Sequence, residues 1–237
     1  MLTNSITQIL SSLLYNKIMF SNLNTRHIFF ALSGTFFFAL FIILTVLVRA
    51  DLFTSFDFDT THRLQNLTPP RLDSFFSSLS VIGRFEYTLV FLVILLILRR
   101  KIWGIFVFGL FSFAHVIELI GKTILNHLGP PSMFLRSQYS EFPGLHVYTE
   151  ASYPSGHSMR SIFLGLLLIF FILQSKKMPP MIKLVLTLGI TGLVGVMLYS
   201  RVSLGEHWTT DVIGGGLLGI SIAFFSMNFL EGGEKST

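Results

Sequence analysis

Two histidines and one aspartate in the second half of the 237-residue chain have the spacing of acid–base or nucleophilic catalysts. His207 and Asp211 are four residues apart, so they share one face of a helix. Asp211 can accept a hydrogen bond from one ring nitrogen of His207 and direct the other nitrogen toward a bound anion as a nucleophile. His157 can protonate a leaving alkoxide and then activate water. We predict that these three residues are catalytic.

The same part of the sequence contains the groups that would hold a phosphate. Pro154-Ser155-Gly156 is typical of a helix start, with a serine that can cap the helix. The first turn of a helix offers free backbone N–H groups and the positive end of the helix dipole, and a glycine lets an anion approach closely. Lys122 and Arg201 add two positive charges. These groups predict a phosphate pocket beside the two histidines.

The composition indicates that membrane-spanning helices position these residues. The chain is 51% hydrophobic and only 12% charged, whereas soluble domains carry about 25% charged residues. This excludes an ordinary soluble globule, a disordered chain and a basic nucleic-acid-binding protein. A helix needs about 20 apolar residues to cross a bilayer, and six stretches reach or can be extended to that length: residues 28–48, 79–98, 102–120, 155–174, 184–200 and 212–230.

Basic residues in the short loops predict the orientation. Arg99-Arg100-Lys101 lies between the second and third spans, and Lys176, Lys177 and Lys183 lie between the fourth and fifth, without any acid. Because such clusters stay in the cytoplasm, both chain termini are predicted to be cytoplasmic. Lys122 at the end of the third span, His157 at the start of the fourth, Arg201 at the end of the fifth and His207 at the start of the sixth then all lie on the extracytoplasmic face, although the charge rule made no use of them. This agreement favours one shared site.

The predicted fold is all-α: a polytopic membrane protein with a six-transmembrane-helix bundle and an N-terminal interfacial helix. The domain boundaries are 1–27 for the N-terminal cytoplasmic or interfacial segment, 28–230 for the membrane domain and 231–237 for a short tail. Apolar residues recur at helical spacing in the first segment, which favours a helix lying in the membrane interface. Gly214-Gly215-Gly216 lacks a following Lys-Ser/Thr, so it predicts tight helix packing in the sixth span rather than a nucleotide loop.

Other ionisable residues near the site receive simpler interpretations. His115 and Glu118 share a helix face with Lys122, which predicts buried charge pairing. His127 and His146 match no motif position and are predicted to be loop residues. There is no cysteine, and no acidic pair or histidine cluster indicates a metal. We therefore expect no metal and no cofactor; the oligomeric state is open.

Taken together, these residues resemble the type 2 phosphatidic acid phosphatase family, membrane lipid phosphatases whose site is related to that of vanadium haloperoxidases. The segment from Tyr153 to His157 matches the second signature of that family. Ser200-Arg201, five residues, His207, three residues and Asp211 match its third signature at every fixed position. The resemblance covers residues 50–230 and implies a metal-independent phosphomonoesterase or pyrophosphatase.

The resemblance also implies individual roles. His207 would be the nucleophile that forms a phosphohistidine, Asp211 its partner and His157 the general acid. The phosphate oxygens would be held by four groups: Ser155, the Gly156 amide, Lys122 and Arg201.

The first signature of the family is incomplete here. The family has a lysine, six free positions and then Arg-Pro, whereas Lys122 is followed at these places by Gly129-Pro130. We predict that Arg136, in the loop before the fourth span, folds back and supplies the missing positive charge. The alternative is that Arg136 is a solvated arginine of the outer loop.

The leading interpretation is an integral-membrane phosphatase that acts on a lipid phosphate at the outer leaflet, with membrane lipids as its surroundings. Two alternatives stay open. A lipid phosphotransferase would let an alcohol rather than water attack the phosphohistidine, and a non-catalytic transporter or scaffold would bind phosphate without turnover. The substrate is open among phosphatidic acid, phosphatidylglycerophosphate, a polyprenyl phosphate or diphosphate, and lipid A phosphates.

Overall fold

The computed structural model describes residues 2–98, 104–136 and 151–232, and the side chains within residues 25–231 of these ranges. The regular elements in these ranges are helices. They are α1 Leu2–Arg49, α2 Thr54–Leu67, α3 Asp73–Ile82, α4 Phe85–Leu98, α5 Gly104–Ile124, α6 Gly156–Gln174, α7 Pro180–Ser203 and α8 Thr209–Gly232, with two short 3₁₀ turns at Pro70–Leu72 and Ser132–Phe134. The predicted basic cluster at 99–101, His146 and the tail from residue 233 lie outside the described residues.

Five helices in the described ranges are long and apolar enough to cross a membrane. They are the Thr25–Arg49 part of α1, the helices α5, α6 and α7, and the Thr209–Glu231 part of α8. The Pro70–Ile82 segment and α4 reach this length only as a pair, and they are bent by 51° where they meet. The predicted second span is thus one broken span, with its break beside the ionisable Arg84 and Glu86. With this pair as one span, the prediction of a six-span bundle is confirmed.

The last helix, α8, lies at the centre of the bundle and contacts α1, α5 and α6. Glycines permit its close approach to α6. A β-carbon on Gly219 would lie 2.5 Å from the Met159 carbonyl oxygen, and one on Gly215 would overlap the Ser155 carbonyl. The predicted tight packing of the glycine run in this span is confirmed, since small residues let membrane helices pack backbone to backbone.

The core between these helices is largely aromatic and aliphatic. Met159, Phe163 and Leu167 repeat every four residues along α6 and are fully buried, as expected for one face of a helix. Phe111 of α5 stacks on Phe163, with ring centroids 5.5 Å apart. This packing fixes α6 between α5 and α8, which are the helices that carry Lys122 and Asp211.

Polar contacts mark the end of the bundle opposite to the candidate site. Arg26 near the start of the first span donates to the Glu231 carboxylate at the end of α8, at 3.2 Å. Gln174, the last residue of α6, donates to the same carboxylate at 3.4 Å. The start of the first span and the end of the last one therefore meet at one end of the bundle, as an even number of spans requires.

The N-terminal segment is helical, but it is not a separate helix. The helix α1 runs without interruption from Leu2 to Arg49, so the predicted N-terminal helix is continuous with the first span. Its position in the membrane interface stays a prediction.

Candidate active site

The helix α6 begins where the Pro-Ser-Gly sequence predicts. Ser155 is the N-cap, and its hydroxyl oxygen accepts a hydrogen bond from the backbone N–H of Ser158 at 3.4 Å. The backbone N–H of Ser155 donates to the carbonyl oxygen of Asp211 at 3.0 Å. This bond joins the first turn of α6 to the first turn of α8, so the second and third signatures meet although more than 50 residues separate them.

His207 and Asp211 face one another across the start of α8. The helix begins at Thr209, so His207 precedes it and only Asp211 lies in its first turn. His207 Nδ1 is 3.6 Å from Asp211 Oδ2, which is longer than a direct hydrogen bond. The same carboxylate oxygen accepts the backbone N–H of Trp208 at 2.8 Å. Asp211 is fully buried, and its carboxylate faces both the His207 ring and the backbone N–H of Trp208.

A second histidine approaches Asp211 from the other side. His127 Nε2 is 3.5 Å from Asp211 Oδ1. The loop that carries His127 is held by the backbone N–H of Ser152, which donates to the His127 carbonyl oxygen at 2.9 Å. His127 lies in the loop after α5, as predicted, but its approach to the carboxylate that also faces His207 was not predicted. Sequence reasoning missed this pairing because 84 positions separate the two residues and no local spacing signals it.

A cavity of about 380 Å³ opens at this end of the bundle. Three predicted site residues, Lys122, His157 and His207, line it. The ring nitrogen Nε2 of His157 is enclosed and has no hydrogen-bond partner among the residues that the structure describes. A buried polar atom without a partner is a functional candidate, because a ligand that pairs with it would remove the cost of its burial. The remaining lining residues are Phe85, Glu86, His115, Glu118, Leu119, Arg160 and Glu206.

Arg201 lies behind the wall of this cavity. Its side chain is fully buried; Nη1 donates to the Ser80 hydroxyl at 2.5 Å and also to the Glu206 carboxylate. Since Glu206 lines the cavity, this carboxylate lies on the cavity side of the Arg201 guanidinium. The structure thus brings Arg201 next to the cavity but gives it an acidic partner of its own.

Glu118 is the centre of a buried charge cluster on the cavity wall. Its carboxylate accepts Lys122 Nζ at 3.0 Å and lies 3.0 Å from His115 Nδ1, so the predicted pairing on this face of α5 is confirmed. It also accepts Arg160 Nη1 at 2.8 Å. The carboxylate lies directly against the Cα of Gly156, since a β-carbon there would overlap it. The negative group at the start of α6, where a phosphate was predicted to bind, is therefore the Glu118 carboxylate of the protein itself.

Arg136 does not reach the cavity. Its Nε donates to the Asp73 carboxylate at 3.1 Å, and its two terminal nitrogens donate to the carbonyl oxygens of Gln65 and Thr68 at 3.1 and 3.2 Å. These acceptors lie at the end of α2 and the start of α3, so the guanidinium joins these two helices. This geometry contradicts the prediction that Arg136 supplies the cation missing from the first signature. Its alternative, a solvated arginine, is also wrong, because the guanidinium has three protein partners.

The guanidinium in the cavity belongs instead to Arg160, which sequence reasoning missed. Arg160 follows His157 by three residues, so both lie on one face of α6. Its side chain is only 4% exposed. The available signal was an arginine within an apolar span, since a charge at such a position is rarely without a function.

A second unpredicted group stabilises the start of α8. Asp57 of α2 accepts the backbone N–H of Thr210 at 2.9 Å and its hydroxyl at 2.6 Å. Asp57 is almost completely buried, and this burial raises the pKa of its carboxyl above the ordinary value. The helix α2 therefore acts as a cap on the helix that carries Asp211.

Comparison with known proteins agrees with the motifs. The family model of the PAP2 superfamily matches residues 102–233, more than half of the chain. The chain belongs to the PAP2 superfamily. The predicted family resemblance is thus confirmed, and with it the class of enzyme, a hydrolase of the PAP2 type.

Two curated PAP2 relatives are similar in sequence. Phosphatidylglycerophosphatase B of Bacillus subtilis (strain 168) is 25% identical over 199 residues, which cover 82% of this chain and 93% of the relative. Undecaprenyl-diphosphatase of Sulfolobus acidocaldarius is 34% identical over 154 residues, which cover 63% of this chain and 66% of the relative.

Two crystal structures of PAP2 relatives have a similar fold. One is the first transmembrane PAP2-type phosphatidylglycerolphosphate phosphatase from Bacillus subtilis, with a TM-score of 0.69 and 21% identity over 86% of this chain and 99% of that one. The other is Aquifex aeolicus LpxE, with a TM-score of 0.54 and 24% identity over 73% of this chain and 94% of that one. The predicted all-α membrane fold is confirmed, and the chain is a multi-pass integral membrane protein.

Proposed function

We propose that this PAP2 protein hydrolyses a lipid phosphate, either a monoester or a diphosphate, through a phosphohistidine at His207. The observation that carries the proposal is the cavity at one end of a membrane bundle, which is lined by His207, His157 and Lys122. Asp211 lies beside the His207 ring. A pocket with only a binding role would need the cation but neither histidine.

In the first step His207 attacks the phosphorus. Asp211 faces Nδ1, so Nε2 carries the lone pair that forms the new P–N bond. The bond from phosphorus to the leaving oxygen breaks, and His157 gives its proton to that oxygen. The imidazolium that forms on His207 is stabilised by the buried Asp211 carboxylate, and the distance between the two side chains shortens as charge develops.

In the second step water replaces the histidine. His157, now neutral, accepts a proton from the water as its oxygen attacks phosphorus, and the P–N bond to His207 breaks. Inorganic phosphate leaves, and His157 is protonated again for the next turnover. Positive groups of the protein balance the charge of the transferring phosphoryl group. These groups are Lys122, Arg201 and the N-terminus of α6 with the Ser155 hydroxyl and the Gly156 amide. Because the Glu118 carboxylate lies against Gly156, the phosphate binds beside this carboxylate rather than in its place, and the proposed mechanism requires no metal.

The membrane arrangement supports a lipid substrate at the outer surface. We place both termini in the cytoplasm because the basic clusters lie in the loops on that side. The cavity is at the other end of the bundle from the Arg26–Glu231 pair, so it opens at the extracytoplasmic interface. A headgroup can reach His207 there while the acyl or prenyl chain stays among lipids. The names of the two relatives make phosphatidylglycerophosphate and a polyprenyl diphosphate the first substrates to test.

The test is phosphate release by purified protein in detergent from a panel of lipid phosphates, with and without EDTA. We expect release from at least one lipid, the same rate with EDTA, and loss of at least 99% of the rate in His207→Ala, because loss of a nucleophile normally costs far more than a hundredfold. Rapid acid quenching should not preserve a phosphoenzyme, since phosphohistidine is acid-labile, whereas alkaline quenching should preserve it in the wild-type protein. Inhibition by EDTA would refute the metal-free mechanism, and a fully active His207→Ala would refute the nucleophile.

A further inference from the structure

Arg160 has one terminal nitrogen that the protein leaves available. Its Nε donates to the Gly83 carbonyl oxygen at 2.9 Å, and its Nη1 donates to the Glu118 carboxylate at 2.8 Å. In the described part of the chain, Nη2 has no hydrogen-bond partner, and some of its surface stays accessible to solvent. Arg160 lines the same cavity as His157 and His207. Arg160 also lines a second, mostly apolar cavity beside Leu164 and Met197. A guanidinium held at two of its nitrogens thus keeps a third donor at the cavity that contains His157 and His207.

Lys122 is held in the same manner. Its Nζ donates to Glu118 at 3.0 Å, and an ammonium has two further protons to donate. The Lys122 side chain is 20% exposed while that of Glu118 is 3% exposed. Lys122 is therefore the more accessible of the two cations, whereas the Arg160 side chain, at 4% exposed, is almost as buried as that of Glu118; all three line the cavity.

The charges of this cluster do not cancel. Lys122 and Arg160 contribute two positive charges and Glu118 one negative charge, so this three-residue cluster keeps one positive charge that it does not balance itself. The other two acids that line the cavity, Glu86 and Glu206, lie outside the cluster, and Glu206 pairs with Arg201. A buried charge surplus is unfavourable unless a ligand or solvent compensates it. A phosphate group has both the negative charge and the acceptor oxygens to do so.

We propose that Arg160 is a phosphate-binding residue that replaces the arginine missing from the first signature, and that Glu118 is the positioning residue for Arg160 and Lys122. This inference rests on the proposed function and extends it to a residue outside the three signatures. Arg160 comes from α6 and Lys122 from α5, so the two donors reach the phosphate from adjacent helices. Glu118 fixes the spacing between them.

The alternative is a purely structural Arg160, which would only join α6 to the bend between α3 and α4 through Gly83. Both roles predict a change in thermal stability when Arg160 is replaced. Only the binding role predicts a change in the affinity for a phosphate-like anion. Orthovanadate is a suitable probe because it imitates the transferring phosphoryl group and has no lipid part.

The experiment compares Arg160→Met, Arg160→Lys and wild type in detergent, by vanadate inhibition, by KM and kcat on one lipid phosphate, and by thermal unfolding. A charge-assisted hydrogen bond contributes about 1.5–3 kcal/mol, so Arg160→Met should weaken vanadate inhibition about 10- to 100-fold and raise KM. In Arg160→Lys, vanadate inhibition should be severalfold weaker than in the wild type, because a point charge does not replace a planar guanidinium with three donating nitrogens. Arg71→Met, at an exposed arginine of the 3₁₀ turn, is the matched control, and vanadate should inhibit it as strongly as the wild type.

Wild-type vanadate inhibition in a folded Arg160→Met would overturn the inference and leave the proposed function intact. If Arg160→Met does not fold, Arg160→Lys decides: unchanged inhibition overturns the inference, and weakened inhibition with an intact unfolding transition supports it. A wild-type protein that neither releases phosphate nor responds to vanadate would instead overturn the proposed function itself.

Discussion

Substitution of Gly156 by alanine tests whether Glu118 positions the side chains of Lys122 and Arg160. A β-carbon on Gly156 would overlap the Glu118 carboxylate, and even the farther oxygen, Oε2, would lie only 2.6 Å from it. A comfortable separation for such atoms is about 3.5 Å. In Gly156→Ala the carboxylate must therefore move by at least about 1 Å.

Such a movement breaks the contacts that hold the two cations. Glu118 binds Arg160 at 2.8 Å and Lys122 at 3.0 Å, and an increase of about 1 Å puts both distances beyond hydrogen-bond range. Each charge-assisted bond contributes about 1.5–3 kcal/mol. Because Lys122 is partly exposed, we take a combined loss of about 2–4 kcal/mol, and we expect kcat/KM to fall at least about 30-fold.

A double-mutant cycle with Glu118→Ala separates this effect from a direct block of the phosphate by the new methyl group. If displacement of Glu118 is the cause, Gly156→Ala should cost less than about threefold once Glu118 is already alanine. The assay is kcat/KM for one lipid phosphate for the wild type, both single variants and the double variant, with thermal unfolding as the folding control. An equal loss from Gly156→Ala in both backgrounds would refute the reasoning, since the methyl group would then obstruct the phosphate itself.

Three further predictions concern other parts of the site. His157→Ala should slow release of a poor alkoxide leaving group much more than that of a good phenolate, because only the former needs a proton; equal slowing of both would indicate that His157 binds phosphate instead. Arg136→Met should lower the free energy of unfolding by about 1–3 kcal/mol, because Asp73 loses its partner, while kcat/KM stays within about threefold; a loss like that of Lys122→Ala would return Arg136 to the pocket. Burial raises the pKa of Asp57 above its value in the unfolded chain, so the free energy of unfolding should fall as the pH rises above about 4. In Asp57→Asn, whose amide still pairs with Thr210, the unfolding temperature should lack this part of the pH dependence. The same pH profile in the variant and the wild type would contradict the prediction.

The parts of the site that the sequence predicts are those determined by local spacing. The Ser155 cap follows from residues three positions apart and is present in the structure. The spacing of His207 and Asp211 also predicts their proximity, but His207 precedes α8 instead of sharing its face, and the two side chains are 3.6 Å apart. The six spans follow from apolar length, except that the second is bent. That bend lies between two helices whose individual lengths are too short to span, and composition alone does not show where a helix breaks.

The parts that the sequence did not predict are contacts between distant segments. His127 meets Asp211 and Arg160 meets Glu118 only because α5, α6 and α8 pack at one point. The wrong prediction for Arg136 has the same origin, because its acceptors lie at the end of α2 and the start of α3, and α2 was not predicted. Motif spacing along the chain gives no information on which of several arginines reaches a cavity.

The carboxylates at this site follow one physical logic. Arg201 has Glu206 as its partner, and Lys122 and Arg160 share Glu118. Without these acids, three cations at the ends of membrane helices would repel one another and be left without compensation for lost hydration. With them, the cations are held in place before any phosphate arrives, at the cost of some electrostatic attraction for it. Because the side chains of Lys122, Arg160 and Arg201 already have fixed positions, binding then requires only a shift of hydrogen bonds rather than assembly of the pocket.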